Sequence, residues 1–358
     1  MKICYLTHDI DPGGGWGRYA SDLINGVKNL GHEVVVLKEQ DDHLFGEAVL
    51  KRGWGLFHSV FKVIGPMRGC DVIHALDVYP YGIIAYLANI FLNKKFIITA
   101  QGTYSIAPFY NIKTKFLSKL ACCRANLVIA ISSFTKQELL RIVKVKKIEV
   151  INHGINFEKF YKEHINSEEK FILSVGALKF RKGYHISIPA FALAKNKIPD
   201  LKYKIVGNQS DKNYFNLLKN LCSQYKVEKD VEFITGISDV QLSDLYSMAK
   251  IFVLTSVNDR HHIEGFGLVF LEAAACGDPV LGTTGNGIVD AIHNNINGIL
   301  VDQNDIQKTS DAIVSIIADS KKFKNFSNAS YKWAQDHDIK IVVSKYIDIY
   351  KNLINRPV

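Results

Sequence analysis

The chain of 358 residues lacks an apolar run long enough to span a bilayer. Its longest, YGIIAYLANIFL at 81–92, falls short of the roughly 20 residues that a spanning helix needs, and is expected to form a buried helix. The start, MKICYLTHDI, has no apolar h-region followed by a small-residue cleavage site, so it reads as a first strand and not as a signal peptide. The six cysteines (Cys4, Cys70, Cys122, Cys123, Cys222, Cys276) form no CxxC pair. That argues against a disulfide framework and a structural zinc site, fits a reducing cytoplasm, and leaves them as small buried hydrophobes. No Asp-x-Asp stands at a strand end, because DQND at 302–305 falls in a polar loop after GILV. No short repeat or low-complexity tract is visible.

Two further absences exclude particular chemistries. DPGGGWGRYASDLI at 11–24 follows the first strand and opens a helix, with glycines that let backbone amides approach a phosphate. Yet Arg18 stands where a dinucleotide fingerprint built on Gly13 and Gly15 would need glycine, and no GK[ST] follows as in a Walker loop. His262 and Glu264 form the HxE element of a zinc deaminase, but the downstream PCxxC is missing and only Cys276 is available.

What is present describes a folded protein: 47% of residues are hydrophobic and 22% charged. The length predicts two domains. A formal charge of +9 points to an anionic partner and leaves nucleic acid, phosphorylated nucleotide and acidic membrane open. The apolar runs KICYLT, EVVVLK, DVIHAL, FIITA, LVIAI and IEVIN alternate with helix-length stretches, one of them capped by Ser132 or Ser133. After the polar segment at 158–170 the rhythm restarts with FILSVG, YKIVG, VEFITG, IFVLTS, PVLGT and GILV. The pattern predicts an α/β protein of two Rossmann-like, doubly wound domains, followed by a final helical segment from about 336 to 358.

Two clusters carry the chemistry. In SVGALKFRKGYHISIPAF at 174–191, Arg181 and Lys182 beside Gly183 place two cations where a loop meets a helix start, which suits a diphosphate. EGFGLVFLEAAACGDP at 264–279 holds Glu264 and Glu272 in a run of apolar and small residues. On one continuous helix they would lie about 12 Å apart, too far for the carboxylate pair of a retaining glycosidase. They fit two ends of one elongated ligand, with a phosphate at the helix N-terminus between them.

SVGALKFRKG, the VEFITGISDVQLSDLYSMAKIFVLTS run and EGFGLVFLEAAACGDPVLGTTGNGIVDAIHNNINGILV together resemble the retaining GT-B glycosyltransferases of family 4, most strongly over 171–302. The resemblance implies two domains facing a central cleft: an acceptor domain at 1–160, a nucleotide-sugar domain at 161–335, and a helix at 336–358 returning towards the first. It implies that Arg181 and Lys182 bind the donor pyrophosphate and that Glu264 meets the transferred sugar. Gly265, Phe266, Gly267, Leu268 and Val269 would line the phosphate and sugar, Glu272 the ribose, Ile237 the base, and Gly14 and Gly15 would close over the phosphates.

This chain departs from the family at two places. Ala177 stands where many members have arginine, and Gln101 where many have an acceptor-side histidine. Gln101 cannot act as a proton carrier but can hydrogen-bond a sugar hydroxyl or a phosphate, and His153 in INHGIN is a second acceptor-side candidate.

The expected function is retaining, metal-independent transfer of a hexosyl unit from a UDP- or GDP-linked sugar to a hydroxyl of a lipid-linked cell-surface glycan. No resident cofactor is expected, since the nucleoside-diphosphate sugar is a substrate. Alternatives are a non-catalytic nucleotide-sugar-binding subunit and a GT-B epimerase; with no recognition module visible, nucleic acid is not an expected partner. The segments at 51–68 and 109–124 mix Lys and Arg with Trp54, Phe57, Phe61, Phe109 and Phe116, as interfacial helices do. They predict a cytoplasmic protein held peripherally at the anionic inner face of the cell membrane.

Overall fold

The computed structural model describes residues 1–165 and 167–355. These divide into two compact units, one formed by residues 1–154 together with the segment from 339, the other by 155–338.

In the first unit, β1 (Lys2–Thr7), α1 (Gly15–Asn29), β2 (Glu33–Lys38), β3 (Glu47–Ala48), α2 (Gly55–Arg68), β4 (Val72–Ala75), α3 (Ile83–Leu92) and β5 (Lys95–Ala100) follow in order. α4 (Thr103–Ile106), α5 (Lys115–Arg124), β6 (Leu127–Ala130), α6 (Ser133–Ile142) and β7 (Ile148–Val150) complete the run. All strands pair in parallel in the order β3-β2-β1-β4-β5-β6-β7. Such strands are covered on both faces, and β4 and β6 are buried at every position, which explains why VIHA and LVIA show no polar alternation. Ser132 caps α6, its Oγ accepting from the Thr135 amide at 3.0 Å. α3 is not wholly buried as the sequence suggests. Ile83, Ile84, Ala85 and Ala88 face inward, while Ile90 and Phe91 on its last turn are 61% and 68% exposed.

In the second unit, α7 (Phe157–Phe160), β8 (Phe171–Val175), α8 (Tyr184–Lys195), β9 (Lys202–Val206), α9 (Lys212–Gln224), β10 (Val231–Ile234) and α10 (Asp239–Met248) are followed by β11 (Ile251–Val253). α11 (Leu268–Ala275), β12 (Val280–Thr283), β13 (Gly298–Val301), α12 (Ile306–Ala318) and α13 (Ser320–Asp336) complete it. This sheet is parallel too, in the order β10-β9-β8-β11-β12-β13.

α14 (Ile339–Ile354) belongs to the first unit, where it packs against α1. Buried phenols fix it there: Tyr346 bonds Tyr19 at 2.8 Å, and Tyr350 bonds Tyr5 at 3.0 Å and His74 Nδ1 at 2.7 Å. His74 also bonds Thr99 at 2.7 Å, and burial pushes its pKa down to about 3, so it serves as a neutral hydrogen-bonding link.

Both sheets reverse their winding once, between β1 and β4 in the first unit and between β8 and β11 in the second. The carboxyl ends of the strands at such a switch point form the crevice where open α/β sheets bind ligands.

Candidate functional site

The switch point of the second unit gathers the chemistry. The loop after β8 carries Arg181 and Lys182, and the loop after β11 carries Glu264. Arg181 Nη1 and Lys182 Nζ both donate to Glu264 Oε2, at 2.8 and 2.7 Å, and Ser256 Oγ approaches the same oxygen at 3.4 Å. Burial raises the cost of ionising Glu264, but the two cations outweigh it and hold its pKa at about 2. For Lys182, burial and Arg181 push the pKa down while Glu264 opposes them. Two cations against one carboxylate leave a surplus of positive charge. Arg181, about a third exposed, presents part of it to solvent.

Backbone contacts set this arrangement. Gly183 sits at φ +73°, and a Cβ there would come within 1.8 Å of the Thr255 carbonyl oxygen. Only glycine lets the two loops close, and they are then joined by Val257 N–H to Arg181 O at 2.9 Å and Thr255 Oγ1 to Gly183 O at 2.7 Å. Gly287 N–H donates to the Glu264 carbonyl at 2.8 Å, while Asn286 reaches Ser256 O at 3.3 Å. The carboxylate therefore projects from a backbone held on both sides.

The two glutamates do not share a helix, so the spacing estimated for a continuous one does not apply. Residues 264–267 form a loop and α11 starts at Leu268, after Gly267 at φ +90°. Gly267 offers no side-chain cap, and among the described residues nothing accepts from the Leu268 and Val269 amides. Those orphan donors and the positive end of the helix dipole suit an anion. Gly265 and Phe266 are buried in the preceding loop. Glu272, 2% exposed on α11, accepts from Tyr246 Oη at 3.0 Å. Ile237 is half-buried in the loop between β10 and α10, where Ser238 and Gln241 form a capping box.

The remaining candidates lie in the first unit. Gly14 caps α1 and Gly15 begins it, and a Cβ on either would meet no atom within 4 Å, so internal packing does not demand glycine there. Gln101, after β5, spends its amide on the Leu76 carbonyl at 3.1 Å. His153 is 5% exposed and packs edge-on to Tyr19 at 4.2 Å, its pKa driven down by burial to about 3.

Sequence reasoning missed Asp77 in HALDVYP. It follows β4 at the switch point of the first unit, fully buried, with Oδ1 accepting from the Val78 amide at 2.7 Å and from Ser105 Oγ. No group pairs with its Oδ2 among the described residues, and burial raises its pKa to about 8. Tyr246 was missed as well, because only the folding of α10 beside α11 brings it to Glu272.

The model of "Glycosyl transferases group 1" matches residues 156–333 and that of "Glycosyltransferase Family 4" residues 13–159. The chain belongs to the group 1 glycosyltransferases. It is 26% identical over 310 residues to the N-acetyl-alpha-D-glucosaminyl L-malate synthase of Bacillus anthracis, covering 83% of this chain and 78% of that protein. To the GDP-mannose:cellobiosyl-diphosphopolyprenol alpha-mannosyltransferase of Xanthomonas campestris it is 24% identical, over 86% and 80% of the two chains. In three dimensions it resembles Anabaena HepE in complex with UDP, with a TM-score of 0.84, 20% identity and coverage of 98% and 100%. This glycosyltransferase therefore has the GT-B fold, with a parallel, helix-flanked sheet in each unit. Among the described residues, no helix is long and apolar enough to cross a membrane.

Proposed function

We propose that the protein transfers a hexosyl unit from a UDP- or GDP-linked sugar to a hydroxyl of a lipid-linked glycan, with retention of anomeric configuration. The observation that carries this is the Arg181–Lys182–Glu264 cluster at the switch point of the second unit, beside the uncapped start of α11. A diphosphate takes the surplus positive charge and the Leu268 and Val269 amides. As the glycosidic C–O bond breaks, these same groups hold the charge that builds on the leaving phosphate, which is preorganised electrostatic catalysis without a metal. Glu264 Oε2 is committed to its cations, whereas among the described residues no group donates to Oε1, which accepts from a sugar hydroxyl. Glu272 serves the ribose and Ile237 the base, with Tyr246 steadying Glu272. The departing phosphate takes the acceptor proton on the same face, so neither Gln101 nor His153 need act as a base.

The Xanthomonas relative's acceptor, a diphosphopolyprenol-linked sugar, supports a lipid-linked acceptor here. So does the first unit's surface, where Trp54, Phe57, Phe61 and Phe116 are exposed at 89%, 48%, 73% and 70%. Phe109 is 1% exposed and belongs to the core, so it leaves the set expected from the sequence. The protein works as a peripheral enzyme at an anionic membrane surface.

A thermal-shift screen against UDP, GDP and their sugars tests the donor, since a ligand at 100 times its Kd adds about 2.7 kcal/mol. Incubation with the donor so found and a synthetic polyprenyl-diphosphate sugar, read by NMR of the product's anomeric centre, tests the transfer. Binding without turnover would assign a non-catalytic subunit, and a changed free nucleotide sugar an epimerase. Turnover abolished by chelator and restored only by a divalent ion would overturn metal independence.

A further inference from the structure

We infer that the cavity between the start of α2 and the approach to α5 holds one hydrocarbon chain of an anionic membrane lipid; this deepens the lipid-linked acceptor proposed above and rests on it. The cavity measures about 510 Å3, within the range of small-molecule pockets, and Trp54, Leu56, Phe57, Tyr79, Ile83 and Leu117 supply most of its wall. Its floor is part of the core, with Leu56 and Ile83 only 3% and 1% exposed, while Trp54 at its mouth is 89% exposed. A bulky indole left in water beside an open apolar cavity marks an interaction surface. Phe57 and Phe61, four positions apart, share one face of α2, and Ile112 and Phe116 stand exposed at the approach to α5 and on its first turn. α2 and α5 each pack on α3, so these side chains belong to one layer of helices.

Charge selects the occupant. From residue 48 to residue 137 the chain has two acidic residues, Asp71 and Asp77, and neither lies in the two segments that form the cavity. Those segments carry Lys51, Lys62 and Arg68 on one side, where Arg52 is paired with Glu39 at 2.7 Å, and Lys113, Lys115, Lys119 and Arg124 on the other. Lys113 lines the cavity itself. Long cationic stems around an apolar opening let their heads reach phosphate while the apolar groups enter hydrocarbon, which fits an anionic bilayer better than the mixed-charge surface of a protein.

The cavity also reaches the switch point of the first unit. Tyr79 lines it two residues beyond Asp77, at the switch point of the first unit, and its hydroxyl accepts from the Gly53 amide at 3.2 Å. Arg52, next to Gly53, lies 5.7 Å from the Tyr104 ring. A chain seated in the cavity places its head group beside these residues at the carboxyl edge of the sheet.

The test uses the full-length protein and vesicles of phosphatidylcholine and phosphatidylglycerol, doped with a phosphatidylglycerol carrying a diazirine on one acyl chain. After irradiation, peptide mapping is expected to find the label on 52–57, 79–83 and 111–117. Leu117→Trp, which fills the cavity, should lower that labelling at least tenfold while flotation with the vesicles and the UDP or GDP thermal shift stay unchanged. If that variant melts early, Leu117→Phe serves in its place. Label confined to Phe61, Phe91 and Phe116, and indifferent to the filled cavity, would overturn the chain site while leaving membrane association standing. Failure of the wild type to float would overturn both. Sedimentation as a dimer that Trp54→Ala dissociates would assign the surface to a second copy and overturn the proposal.

Discussion

Asp77 and Glu264 are two buried carboxylates, each on a loop after a strand at the switch point of its own sheet, and they sit on opposite sides of the ordinary carboxylate range. Glu264 is held at about 2 by Lys182 and Arg181, whereas Asp77, bonded among the described residues to a hydroxyl and one amide, is raised to about 8. Burial acts on both in the same direction, so the difference lies in the company each keeps. In the second unit, two cations keep the buried carboxylate ionised. In the first, burial favours the neutral form of Asp77.

The largest expected effect breaks the charged side. Lys182→Ala and Glu264→Ala should each lower turnover by roughly 10²-fold or more, as loss of a transition-state electrostatic partner does, with little change in far-UV circular dichroism. Full activity in both variants would remove the catalytic assignment.

Next comes stability. Lys182→Met leaves Glu264 short of a buried partner and should cost about 3 kcal/mol in a denaturant melt, whereas Lys182→Met with Glu264→Gln should recover much of it. The wild-type contribution of Glu264 is present above its unfolded pKa of about 4.5 and is lost as pH falls towards about 2. The Glu264→Gln melting profile should therefore converge on that of the wild type in acid.

Asp77 has the opposite sign. Its folded pKa lies above the ordinary 3.8, so its contribution is fully present below about pH 4 and is lost as pH rises through 8. Asp77→Asn imitates the neutral carboxyl and should raise the melting temperature at pH 8, by about 2–4 °C for each kcal/mol relieved, and leave it unchanged at pH 4. An equal shift at both values would mean that ionisation of Asp77 does not limit stability.

The smallest effect belongs to Gln101. Its amide is already spent on Leu76, so Gln101→Ala should change KM for the acceptor only a few-fold and leave kcat nearly intact. A large fall in kcat would give Gln101 a chemical role.

The strands were largely legible, because buried parallel strands are short apolar runs; KICYLT and EVVVLK coincide with β1 and β2. The α11 loop was legible through its glycines. In α3 an apolar sequence gives no sign of which turn is left uncovered, and Ile90 and Phe91 are exposed. The core position of Phe109 is hidden for the same reason: an aromatic among lysines looks alike whether it faces water or core. Asp77 gives no signal in the sequence because a single aspartate after a strand usually meets solvent. It is buried, and Ser105, which bonds it, lies 28 positions away on the chain after β5.

By itself the sequence determined the repeated alternation of strand and helix, the glycines at the two strand-to-helix turns, and the presence of two cations and two glutamates in the second half. These are local properties of periodicity and backbone freedom. Tertiary structure decided which groups meet. Arg181 and Glu264 are separated by 83 positions, and only the crossing of the β8 and β11 loops at a switch point puts them 2.8 Å apart. The same holds for charge state, since a carboxylate's pKa depends on what surrounds it after folding, and two similar side chains have moved in opposite directions.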